Sequence, residues 1–543
     1  MIAKAKPTNG ASNSTDFRET KMTRSLGRNG VSRRGVLQGA TAIGTAALIT
    51  PWGTRLNAQP VRGGTLRVGM AHGSTTDSLD PGSWEQDFMI FQAHQRNNYL
   101  TEIAADGTLV PELAESWEAS ADAATWTFTI RSGVEFHSGH VLTAEDVIAS
   151  INHHRGPDST SAAAPLVSAI TDMRADGMNV IVTLSSGNAD FPFVMSDYHL
   201  PILPAQADGT IDPMTRDGCG PFRITDLEFG VGASYVRHDG YWKEGLPYFD
   251  ALEQIVIFDD AARQNALISG EVDYIDTADL NTVHLLQRAP GIEILSVTGT
   301  QHYGFPMDTR AEPFTNVNIR LALKYAIDRQ QMVETVLNGF GSIGNDHPIG
   351  SGQRYFNTEL EQKDYDPERA QFHLREAGLE SLDVDIYLAD AAFAGALDAG
   401  VLFSESAAAG GINLNVVREP NDGYWSNVWM QKSFCGTYWG GRPTEDLMFA
   451  TAYEAGVPWN ETFWTHERFN ALLLEARSEL DENLRREQYF EMQQIVSDEG
   501  GIIIPMFANY VGAYSTALAH PEQVSSHWRN DGHRIGERWW FAA

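Results

Sequence analysis

Cysteine is nearly absent from this chain: 543 residues contain two, Cys219 and Cys435. Two cysteines so far apart make no disulfide scaffold, and without a CxxC or Cys/His spacing they offer no zinc site. The residues leave open one long-range disulfide or two separately buried thiols. Positive charge is also scarce, with 39 Lys and Arg against 71 Asp and Glu and a formal charge of −32. A field of that sign repels nucleic acid and anionic lipid, which excludes both as main partners. It reads as a solvated acidic surface and says little about a ligand, because a pocket carries its own local charge. Long apolar runs are missing too: nothing after residue 58 approaches the roughly 18 apolar residues of a membrane-spanning helix. No GxSxG elbow, HExxH or P-loop occurs, so no catalytic, cofactor-binding or metal-ligating residue is assigned.

The N-terminus reads as an address. Ser32-Arg33-Arg34-Gly35 precedes a mild apolar run from Val36 to Ile49, which is too short to span a bilayer. An arginine pair followed by such a run resembles a twin-arginine export signal, with cleavage expected after Ala58. Removing residues 1–58 takes away nine Lys/Arg and two Asp/Glu and leaves a still more acidic mature chain. Met1 and Met22 are both candidate starts, and no cysteine near the cleavage point suggests a lipid anchor. A periplasmic, soluble mature protein is expected.

Beyond the signal, 485 residues exceed what one hydrophobic core supports, so at least two lobes are expected. Leu66, Val68 and Met70 alternate with polar neighbours, as do Trp126, Phe128 and Ile130 with three threonines, the period of a half-buried strand. Thr143 and Asp146 carry helix N-terminus signals. Leu252–Phe258 reads as a strand, residues 319–337 as a helix, and His466–Ser497 as a helical region. Ile502–Phe507 reads as a short strand that Pro505 places at an edge or a strand end. Strands mixed with helices fit an α/β protein.

Several blocks then carry a resemblance. PELAESW at 111–117, WTFTIR at 126–131 and GVEFHSGHVLTAEDV at 133–147 resemble the signature of the dipeptide/oligopeptide (family 5) solute-binding proteins of ABC importers. GCGPF at 218–222, KYAIDR at 324–329 and YDPERAQFHLREAG at 365–378 extend the likeness, which runs from about Gly63 to about Tyr514. The resemblance implies a two-lobed periplasmic-binding-protein fold with a discontinuous lobe I and a hinge of two crossings. The expected division is lobe I at 59–258, lobe II at 259–503 and a lobe I return at 504–543, with crossings near Leu252–Asp260 and Ile502–Phe507. It implies no enzyme activity, a peptide or similar small solute in the interlobe cleft, delivery to ABC permease subunits, and a monomer. An anionic non-peptide solute, a sensory binder and a secreted enzyme are the alternatives.

Gly339, Gly341 and Gly344 spell GxGxxG, but they follow a helix rather than a strand and read as a helix end and loop. The adjacent His153 and His154 read as surface or packed histidines rather than metal ligands. The informative block is Tyr438 to Asp446. In peptide-binding relatives its Trp is followed three residues later by an Asp that pairs with the ligand's α-ammonium group. Here Trp439 is followed by Arg442, whose guanidinium suits a carboxylate, phosphate or sulfate if it faces the cleft. The alternative is a loop pair with Glu445 or Asp446. Tyr438 and Trp439 are candidates for an aromatic wall, Tyr303 for a cleft strand, and Trp84 for a further ligand contact.

Overall fold

The structure, a computed structural model, describes residues 60–543; the expected export signal lies outside them. Strand Thr65–Met70 forms where the alternation predicts, with Leu66, Val68 and Met70 fully buried. It pairs in parallel with Ala251–Val256 on one side and Tyr274–Ile275 on the other, which makes it an inner strand. The full sheet has seven strands, and Tyr510–Ser515, from the far end of the chain, lies between Tyr274–Ile275 and Ile292–Val297. The first lobe is therefore built from two separated pieces of chain.

Beside it stands a four-stranded antiparallel sheet that includes Thr125–Ile130. Trp126, Phe128 and Ile130 enter its core while the alternating threonines stay half-exposed. Helix Ala144–Asn152 begins at a capping box. Asp146 N–H donates to Thr143 Oγ1 at 3.4 Å, and Asp146 Oδ2 accepts from Thr143 N–H at 2.8 Å.

The second lobe holds a four-stranded sheet in the order Gly341–Ile343, Ile502–Ala508, His302–Pro306, Thr437–Trp439, and a parallel pair, Leu382–Leu388 with Ile412–Arg418. Two expected helices are each divided. Asp328 accepts from Gln331 N–H at 3.0 Å and starts a new helix, Arg329–Val336, after Val317–Tyr325. Asp481 likewise accepts from Asn483 and Leu484 N–H, separating Glu467–Ser478 from Glu482–Glu499. In both places a carboxylate side chain satisfies first-turn donors, so a second helix begins rather than the first continuing.

Strand Ile502–Ala508 departs from the expected edge position: it is interior and buried throughout. Its pairing with His302–Pro306 shifts register between Tyr303 and Phe305, and Pro505 occupies that irregularity, where no ladder donor is required. The approach here is so close that a Cβ on Gly344 would lie 2.1 Å from Ile504 O, which gives one of the GxGxxG glycines a packing role.

The first crossing also differs from expectation, while the second lies beside the expected Ile502–Phe507. Residues 251–256 pair within the first sheet, and helix Asp260–Ser269 packs its Ala266 and Leu267 beneath that sheet. The chain leaves the first sheet after Val297, enters the second at His302, and returns between Ala508 and Tyr510. The two thiols are free and lie in different cores, Cys219 beside the antiparallel sheet and Cys435 in the second lobe. Among the described residues no helix is long and apolar enough to cross a membrane.

A buried charge cluster ties the C-terminal return to the first lobe. Lys243 Nζ lies 2.6 Å from Glu102 and 2.7 Å from Glu537, Arg534 is 2.9 Å from Glu112, and Arg538 is 2.6 Å from Glu102. Burial opposes ionisation of Glu102, but Arg534, Lys243 and Arg538 outweigh it and hold that carboxyl well below the usual range.

Candidate functional site

The two lobes face each other across a narrow cavity. Ile103, Asp190 and Phe193 line it from the first lobe, Arg354, Arg442 and Glu445 from the second, and Thr300 from the first crossing. Beside it the lobes touch: Arg485 grips Asp190 with two nitrogens at 2.8 Å, and Ala189 N–H donates to Arg477 O at 2.7 Å. Burial of Arg485 is more than offset by the Asp190 charge, so the guanidinium stays firmly protonated.

Arg442 follows strand Thr437–Trp439 and precedes helix Glu445–Ala452, which is capped by Thr444. The expected loop partners are engaged elsewhere. Glu445 Oε1 accepts from Tyr355 N–H at 2.7 Å, and Asp446 pairs with Arg477 at 3.1 Å. Among the described residues Arg442 keeps long contacts to the carbonyls of Gly440 and Gly441, at 3.2 and 3.4 Å, and sits 5.6 Å over the Trp439 ring. Burial lowers its pKa, and the charges that oppose this come from Tyr198 and Asp197 of the first lobe. Burial also pushes Glu445 up to about 7.

The other predicted residues spread over different surroundings. Trp439 is buried, and its indole N–H donates to Glu461 at 2.9 Å, so it supports Arg442 from beneath. Tyr438 points the opposite way, 46% exposed, with its ring 5.6 Å from that of Trp425. Tyr303 lies opposite Tyr438 in register, half-buried and stacked on Phe393 at 4.4 Å. Trp84 is 1% exposed, and its N–H is bound to Ser78 O at 2.9 Å, which makes it a core residue of the first lobe rather than a cavity residue. His153 and His154 bond to Asp80 and Ser161, as packed histidines do. Sequence reading overlooked Tyr198 and the neighbouring Trp528, whose rings meet at 5.9 Å; no spacing signal links residues so distant in the chain.

Comparison with known proteins follows the same lines. The sequence model described as bacterial extracellular solute-binding proteins, family 5, middle, matches residues 108–461. The Heme-binding protein A of Haemophilus influenzae is 29% identical over 53% of this chain and 57% of its own length, so the chain spans somewhat over half of that relative. The Di/tripeptide-binding protein 2 of Pseudomonas aeruginosa is 26% identical over 78% of this chain and 86% of its own. The solved structure of AgaA from A. tumefaciens R10, in complex with agropinic acid, superposes with a TM-score of 0.69 at 24% identity, covering 88% of this chain and 99% of that one.

Proposed function

The chain belongs to the bacterial extracellular solute-binding proteins of family 5, and on that basis we propose that it captures a small solute between its lobes and delivers it to an ABC permease in the membrane. Lobe closure then does the work of recognition, because a solute touching both walls stabilises the closed state over the open one. We place the capture in the periplasm, after export by the twin-arginine signal, without chemistry on the solute. The first lobe, on this reading, runs from about residue 60 to Val297 and from Tyr510 onward, with the second lobe between.

Relatives are named for heme and for di- and tripeptides, and the AgaA structure is a complex with agropinic acid, so family membership leaves the cargo open. The observation that carries a finer reading is Arg442: a cavity-lining guanidinium with no carboxylate partner among the described residues, although Glu445 and Asp446 stand three and four residues away. We infer that the solute, peptide or not, carries an anionic group that meets Arg442, which the buried Trp439 supports from beneath. Native mass spectrometry of freshly purified protein identifies the co-purified solute, and calorimetry compares its affinity for the native chain and for Arg442→Ala. A charge-assisted hydrogen bond is worth about 1.5–3 kcal/mol, so the variant is expected to bind about ten-fold or more weakly. Unchanged affinity would remove the anion contact from the reading.

A further inference from the structure

The seven-stranded sheet has three neighbouring parallel strands, Thr65–Met70, Ala251–Val256 and Tyr274–Ile275. Crevices beyond the carboxyl ends of parallel strands are where open sheets bind ligands, because the chain diverges there and leaves side chains pointing into one space. At that edge His72 follows the first strand and Asp276 follows the third, while Asp87 opens helix Asp87–Arg96. One ligand atom of each lies within 4.8 Å of the others.

We propose that His72, Asp87 and Asp276 form a binding site for a divalent transition-metal ion such as zinc or nickel. One imidazole and two carboxylates match the donors such ions take, whereas calcium and magnesium ask for a shell of oxygens. Donors at about 2.1 Å from a tetrahedral ion lie about 3.4 Å apart, so the three groups must draw closer on binding, and His72, which is exposed, is the one free to move.

A second observation points to the same ion. Asp276 is 1% exposed; its Oδ1 accepts from Ala71 N–H at 2.9 Å, and its Oδ2 has no hydrogen-bond donor among the described residues. A carboxylate oxygen left bare in the interior is costly, and a coordinated cation supplies what no protein donor does. Arg529 does not fill that role: its Nε lies 3.4 Å from Asp87 Oδ2, and its Nη1 donates to the Thr277 hydroxyl at 2.6 Å. His533 Nε2, fully buried and 3.7 Å from Asp87 Oδ1, also lacks a hydrogen-bond partner among the described residues.

The test uses the full chain, stripped with a chelator and titrated calorimetrically with zinc, nickel and magnesium chlorides. One zinc or nickel ion per chain is expected, with no magnesium heat. Binding should weaken at least ten-fold in His72→Ala and in Asp276→Asn, and stay unchanged in His153→Ala. Cobalt provides a second readout, a visible absorption band present in the native chain and lost in His72→Ala, a surface change that leaves the fold intact if Asp276→Asn does not. Absence of transition-metal binding overturns the site. So does unchanged binding in both cluster variants, which would put the ion at another of the sixteen histidines. The titration contains no solute and leaves Arg442 in place, so its failure is separate from failure of the anion reading.

Discussion

Six charged side chains crowd together where the C-terminal return meets the first lobe, and between the lobes the Arg442 guanidinium has no carboxylate partner among the described residues. In the cluster, Glu102, Glu112 and Glu537 meet Lys243, Arg534 and Arg538 at 2.6–3.0 Å, so each desolvated charge has a protein counter-charge. Arg442 is half-buried, yet among the described residues its polar contacts are two neighbouring carbonyls. Charges the protein answers itself fasten the fold. A charge it leaves unanswered in a cavity is available to something that arrives from outside.

Breaking one member of the cluster should have the largest effect on stability. Lys243→Met leaves Glu102 and Glu537 buried with fewer counter-charges, and a loss of about 3–5 kcal/mol is expected from urea unfolding. The pH dependence sharpens the contrast. Glu102 has its folded-state pKa lowered, so its contribution is present above the ordinary value of 4.5 and lost as pH falls through the folded value. Glu445, beside Arg442, has its value raised by burial to about 7, so the sign reverses. The native state holds the Glu445 proton between pH 4.5 and 7, and that stabilisation is lost as pH rises through about 7. Glu445→Gln should therefore gain stability relative to the native chain between pH 5 and pH 8; an unchanged difference in urea midpoints would contradict a buried, proton-holding carboxyl. The smallest effect belongs to Arg442→Ala. With no ion pair to break, only its packing over Trp439 is lost, and unfolding stability should stay within about 1 kcal/mol while solute affinity falls.

Much of the local structure was legible because neighbouring residues impose it. The alternation through Leu66 and Met70, and through Trp126 and Ile130, dictates which face of each strand is buried. Thr143 and Asp146 contain a helix start within four residues. Asp328 and Asp481 carried the same kind of signal inside apparently continuous helices. Pro505 misled because a proline argues for an edge only when the ladder beside it is regular, and here it is not. The first crossing was expected at a strand that instead stays in the first sheet, because a strand's sequence shows that it is buried, not which sheet it joins.

The sequence alone determined the family, the α/β class, the presence of two lobes and the identity of Arg442 as the odd residue in its block. Those are properties of residue type and short spacing, and spacing survives in one dimension. Tertiary structure alone decided that Glu445 and Asp446 are taken by Tyr355 and Arg477, that Trp84 is core, and that His72, Asp87 and Asp276 converge. Such facts depend on which distant segments the sheets bring together, and pairing across two hundred residues leaves no periodic mark in the chain.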